Sequence, residues 1–146
     1  MKSPDWIIRM IIVFALLLFE AVSDARKMKI NIVPPVVTAA LSLPFIIIAK
    51  EPAWPSALIG LGEGAILVFA SFATDGQIGI GDGIILGATG LMLGWKNNLL
   101  MFFFACIFSA VFAAFKMVIK KADRKSRIPF VPFILSGFLF GIFLMR

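Results

Sequence analysis

Four carboxylates lie within or at the edge of long apolar runs, at Glu20, Asp24, Glu63 and Asp82. An acid at the bilayer centre costs about 3 kcal/mol or more, so such a group normally faces a cavity or a partner. The chain has no histidine, and its one cysteine, Cys106, sits inside an apolar run. That excludes a Cys-x-x-Cys zinc pair, a histidine base and an internal disulfide, and no metal or cofactor is expected. Cys106 reads as a small buried hydrophobe. Hydrolysis in this chain would have to run on carboxylates. Two aspartates sharing one water can do it. An ionised carboxylate takes the water's proton while its protonated partner polarises the scissile carbonyl. Their mutual repulsion keeps one proton on the pair.

The elements that must position these acids are set by composition. The 146 residues are 61% hydrophobic, include sixteen Phe and carry a net charge of +6. A soluble domain of this length needs a polar surface that such a composition lacks. The lipid bilayer is therefore the expected solvent, and residues 1–146 read as a single membrane-embedded domain. Lys2 and Arg9 ahead of the run Ile11–Phe19 imitate a secretory signal. Glu20, Asp24 and basic residues follow in place of a small-x-small cleavage site, so the run reads as a retained first span.

A helix crossing the hydrocarbon core needs about 20 residues. The fold class expected is an all-α polytopic membrane protein with about six transmembrane helices. The spans fall near Trp6–Val22, Ile32–Ala49, Pro55–Ala73, Gly83–Trp95, Leu99–Val118 and Ile128–Met145. The fourth is too short to cross as a helix alone, and the loop Asp75–Asp82 is expected to complete its passage in non-helical form. Such backbone survives at membrane depth only inside protein or along a wet cavity. Pro34, Pro35 and Pro44 predict an irregular or kinked second span. Gly60 with Gly64, Gly83 with Gly87, Gly90 with Gly94, and Gly137 with Gly141 stand four apart, the spacing that lets helices approach closely in lipid.

Six spans put both termini on one side, with Lys2, Arg9, Lys50, Lys96 and Arg146. The other side holds Arg26, Lys27, Lys29, Lys116 and the polar stretch Lys120–Arg127. The excess of Lys and Arg there makes that side cytoplasmic, and Trp6, Trp54 and Trp95 fall at the opposite interface. These basic clusters read as topology determinants and anchors in anionic lipid. Confined to short flanking loops, they make no nucleic-acid surface.

Parity now pairs the acids. Alone, Asp24 is an interfacial charge beside Arg26 and Lys27, and Asp82 could be a helix N-cap. Asp24 ends a span running towards the cytoplasmic side, however, and Asp82 begins the one that leaves it. Both carboxylates therefore come to similar depth near one face. Gly79-Ile80-Gly81-Asp82 places two glycines before the second acid, removing side chains where an extended peptide would approach.

Gly79-Ile80-Gly81-Asp82, with Asp24 ahead of it, resembles the GxGD aspartic peptidases of the type IV prepilin and preflagellin peptidase family. Asp24 followed by Arg26, Lys27, Ile30 and Asn31 is similar to the family's first acidic motif. Ile128-Pro129-Phe130-Val131-Pro132-Phe133 is similar to its last-span motif. The resemblance implies an intramembrane aspartic endopeptidase of the cytoplasmic membrane, with its active site near the cytoplasmic face. It would cut the basic leader from prepilin-like or preflagellin-like partners, with Asp24 and Asp82 catalytic and Gly79 and Gly81 positioning substrate or loop. Asn31 and Ile84 depart from the family's usual Pro and Lys. The first loop has no cysteine, which implies a short form without methyltransferase equipment.

Glu20, one helical turn deeper than Asp24 on the same face, is a supporting acid or a partner of a neighbouring helix. Glu63 has no evident partner and would suit the competing reading, a small proton-coupled transporter or channel. No internal repeat supports that reading. A purely structural membrane subunit is the third.

Overall fold

The computed structural model describes residues 4–27, 29–75, 79–120 and 128–144. Among these, six helices form and no strand does: α1 (Pro4–Lys27), α2 (Val33–Pro44), α3 (Trp54–Ala73), α4 (Ile80–Leu93), α5 (Trp95–Lys120) and α6 (Val131–Leu144). α1, α3 and α5 are long and apolar enough to cross a membrane, while α2, α4 and α6 are shorter apolar helices. Ile11, Phe19, Ile66, Phe69, Phe115 and Val118 are all exposed. Large apolar side chains arrayed outward on long helices match a lipid surrounding, and the chain is an all-α membrane protein.

Local chemistry explains the ends. Pro34 and Pro35 lie in the first turn of α2, where a missing N–H leaves no bond unmade. Pro44 cannot donate within the helix, and the next residues, Phe45–Ala49, widen into a π-helical turn. Gly94 ends α4 at φ 77°, and a Cβ there would press on Ser56 and Pro52. The second span is irregular, as expected, through the π-helical turn at Phe45–Ala49.

α4 is the central helix, packed against α1, α2, α3 and α5. It is apolar all round because it is enclosed: Ile85, Leu86, Met92 and Leu93 are buried. Its contact with α3 is made by glycines. A Cβ at Gly60 would stand 2.5 Å from the Gly90 carbonyl oxygen, and one at Gly64 would overlap the Gly87 backbone. Such pairs let the two backbones touch, which is how helices gain packing in lipid. Gly137 does the same for α6 on α5, where a Cβ would meet Ala105 N at 2.8 Å, and Gly141 is buried. Met10, Val13 and Leu17 of α1 close the core with Ile134 and Phe138 of α6.

Some expectations need correction. Cys106 is exposed on the outer side of α5, because α5 packs inward through Met101 and Ala105 instead. The fourth helix begins at Ile80, three residues earlier than the expected span, so Gly81 and Asp82 are helical. α1 runs on to Lys27, which puts Asp24 inside the helix. Residues 76–78 of the expected loop Asp75–Asp82, and residues 121–127 of the polar stretch, lie outside the described residues.

Candidate active site

Asp24 occupies the last turn of α1, on the same buried face as Leu17, Glu20 and Ala21. Only 7% of it is exposed. Its Oδ2 accepts the backbone N–H of Val131 at 3.1 Å. Val131 is the first residue of α6, and the first N–H groups of a helix have no partner within it. Asp24 supplies that partner from another helix. The Ile128–Phe133 stretch thus has a physical role, bringing a free helix N-terminus to the first acid.

Asp82 lies in the first turn of α4 and donates its backbone N–H to Gly79 O at 3.2 Å. Gly79 is the N-cap, with extended backbone and no side-chain capping bond. Asp82 is therefore not the cap. The turn after α1 bridges the two acids' helix ends: Ile30 lies against Gly81, and Asn31 donates its backbone N–H to Glu20, one turn from Asp24. Two acids 58 positions apart in sequence are thus brought to one end of the packed pair α1 and α4.

The two glycines of the tetrapeptide serve different neighbours. A Cβ at Gly79 would stand 2.8 Å from Asp82 Oδ2, so glycine there keeps room against the carboxylate itself. A Cβ at Gly81 would stand 2.5 Å from Ile30 Cδ1. The room at Gly81 is taken by a side chain of the α1–α2 turn, not left open. Beyond Asp82, an apolar cleft of about 540 Å³ runs between α2, α3 and α4, from Gly83 past Gly87 to Leu91, with Pro35, Val68 and Phe72 among its walls.

Residues 11–114, which hold both aspartates, match the type IV leader peptidase family. The chain belongs to that family. It is 27% identical over 132 residues to a prepilin leader peptidase/N-methyltransferase of Bacillus subtilis (strain 168), an alignment covering 87% of this chain and 52% of that protein. The chain thus spans about half the length of the curated relative it matches. No solved structure matches it.

Within this leader peptidase fold the other acids have distinct neighbours. Glu20 is fully buried, and its Oε2 accepts the Asn31 backbone N–H at 3.1 Å. Among the described residues, its Oε1 has no partner. Glu63 Oε2 accepts from Asn98 Nδ2 at 2.6 Å, and Asn98 Oδ1 accepts the Thr89 hydroxyl at 2.7 Å. Asn98 and Thr89 are fully buried, so the network ties α3, α4 and α5 together in the interior. Arg9, 4% exposed, donates to Met92 O and to Glu51 Oε2, both at 3.1 Å. Sequence reasoning placed Arg9 and Lys50 as interfacial charges and missed that Arg9 ties α1 to the far end of α4. It gave Val131 and Ile30 only as motif residues, with no physical role, and missed Asn98. These act through backbone groups, shape or a partner 35 residues away, none of which leaves a mark in residue type. No group of three or more metal-binding side chains occurs among the described residues.

Proposed function

We propose that this chain is an intramembrane aspartic endopeptidase that removes the basic leader from prepilin-like or preflagellin-like proteins at the cytoplasmic membrane face. The observation that carries the reading is the placement of Asp24 near the end of α1 and Asp82 in the first turn of α4, two packed helices whose ends are bridged by Ile30 against Gly81. Two carboxyls in that arrangement can hold one water and one proton between them. One carboxyl deprotonates the water, and the other donates a hydrogen bond to the carbonyl oxygen as the tetrahedral intermediate forms. The proton then returns to the leaving nitrogen. The glycine at Gly79 leaves space beside the second carboxyl, and the apolar cleft starting at Gly83 suits the hydrophobic segment that follows a leader. Family membership and the curated relative support the substrate class. The basic residues Arg26, Lys27 and Lys29 near the Asp24 end support the cytoplasmic face.

The test is cleavage of a prepilin-like substrate by purified protein in lipid. Asp24→Asn and Asp82→Asn should each abolish cleavage without loss of folding, because Asn keeps the size of Asp but not its acid–base chemistry. The double variant should be no worse than either single one, since one change already removes the shared proton. Wild-type activity should fall at both pH extremes. Cleavage by purified Asp82→Asn at the wild-type rate would refute the dyad.

A further inference from the structure

The turn between α1 and α2 is fastened more firmly than a connection needs. Ser23 Oγ donates to Lys29 O at 3.1 Å, and Glu20 Oε2 accepts the Asn31 N–H at 3.1 Å. Both anchors stand on α1, within one turn of Asp24, and they bracket Ile30. The Ile30 side chain fills the space above Gly81, where an added Cβ would meet Ile30 Cδ1, Cβ and Cγ1 at 2.5, 2.8 and 3.1 Å. Gly81 directly precedes Asp82 in the first turn of α4.

We propose that Glu20 and Ile30 are positioning residues, forming a lock in which Glu20 holds the turn and Ile30 seats on Gly81 to set Asp82 against Asp24. The inference rests on the dyad reading given above. Three features favour it over a direct role for Glu20 in proton transfer. The carboxyl is fully buried, it already accepts a backbone N–H, and that N–H belongs to the residue next to Ile30. The glycine at 81 then follows from shape: any side chain there would displace Ile30 and, with it, the turn. A shift of about 1 Å in a reacting group can cost roughly 100-fold in rate.

The experiment is a substitution cycle read by leader cleavage, after wild-type activity has been established. Gly81→Ala should lower kcat about 10- to 100-fold, with KM little changed. Ile30→Gly removes all three crowding atoms, so adding Gly81→Ala to it should cost under about twofold. Gln at position 20 can still accept the Asn31 N–H, so Glu20→Gln should keep most activity and the wild-type pH profile. Glu20→Leu should lose kcat. Thermal unfolding of each variant in detergent identifies those that fail to fold, and the comparison between Ile30→Gly and the double variant holds even where Gly81→Ala alone is unstable. Inactive wild-type protein would refute the dyad reading itself. With active wild type, an equal Gly81→Ala penalty in both backgrounds would overturn the lock and leave Gly81 as a site of substrate approach. Equal loss in Glu20→Gln and Glu20→Leu would overturn the positioning role.

Discussion

Replacing Gly60 by Ala tests the glycine seam between α3 and α4. The new Cβ would stand 2.5 Å from Gly90 O and 2.7 Å from Gly90 C, against 3.4 Å or more in ordinary contact. Both are backbone atoms of a helix, so no side chain can turn away. The helices must part by about 1 Å at that point, and overpacking of this kind costs about 1–3 kcal/mol. Alanine is also a better helix former than glycine by about 1 kcal/mol, which would mask part of the loss. Gly62 provides the correction. It lies on the same helix with nothing within 4 Å of an added Cβ, so Gly62→Ala gains the propensity without the overlap. The difference between the two variants isolates the overlap. At about 3 °C per kcal/mol for a chain of this size, Gly60→Ala should melt about 3–9 °C below Gly62→Ala in detergent. Because α4 carries Asp82 in its first turn, Gly60→Ala should also cleave more slowly. Equal melting temperatures for the two variants would refute the close approach of α3 and α4.

The polar contacts give three further expected outcomes. Arg9→Ala should destabilise the fold by about 1.5–3 kcal/mol, the range for a hydrogen bond to a charged group, because it strips the partner from the Met92 carbonyl. Glu51→Gln should cost under about 1 kcal/mol, since Glu51 is 57% exposed; equal losses in chemical denaturation would show that the ion pair, not the helix-end bond, carries the effect. Glu63→Gln should retain most cleavage, because the amide oxygen can still accept from Asn98. Loss of cleavage there, together with proton-coupled flux in wild-type proteoliposomes, would favour the carrier reading.

Much of this protein is legible in its residues alone. Apolar runs near the length of a bilayer crossing determine the six helices, because in lipid every backbone polar group must be satisfied within its own helix. The spacing of Glu20 and Asp24 determines a shared face. The glycines at 60, 64 and 137 determine close contacts, since small residues are what lets helices meet in lipid. The resemblance to the family rested on two aspartates, a tetrapeptide and the motifs that follow Asp24 and open the last span. The tertiary structure decided what touches what. That Gly60 meets Gly90, and not another glycine, depends on the relative heights of α3 and α4. Asp24 receives a helix N-terminus from a residue 107 positions later, and any residue but proline could supply that N–H, so the motif around Val131 did not show what it touches. Gly81 looked like open space and is filled, because Ile30 comes from a turn whose path depends on Glu20 and Ser23. Cys106 looked buried and is exposed, because an apolar residue in lipid is stable on either face of its helix. Residue type shows whether a group tolerates lipid; only packing shows which groups are spared it.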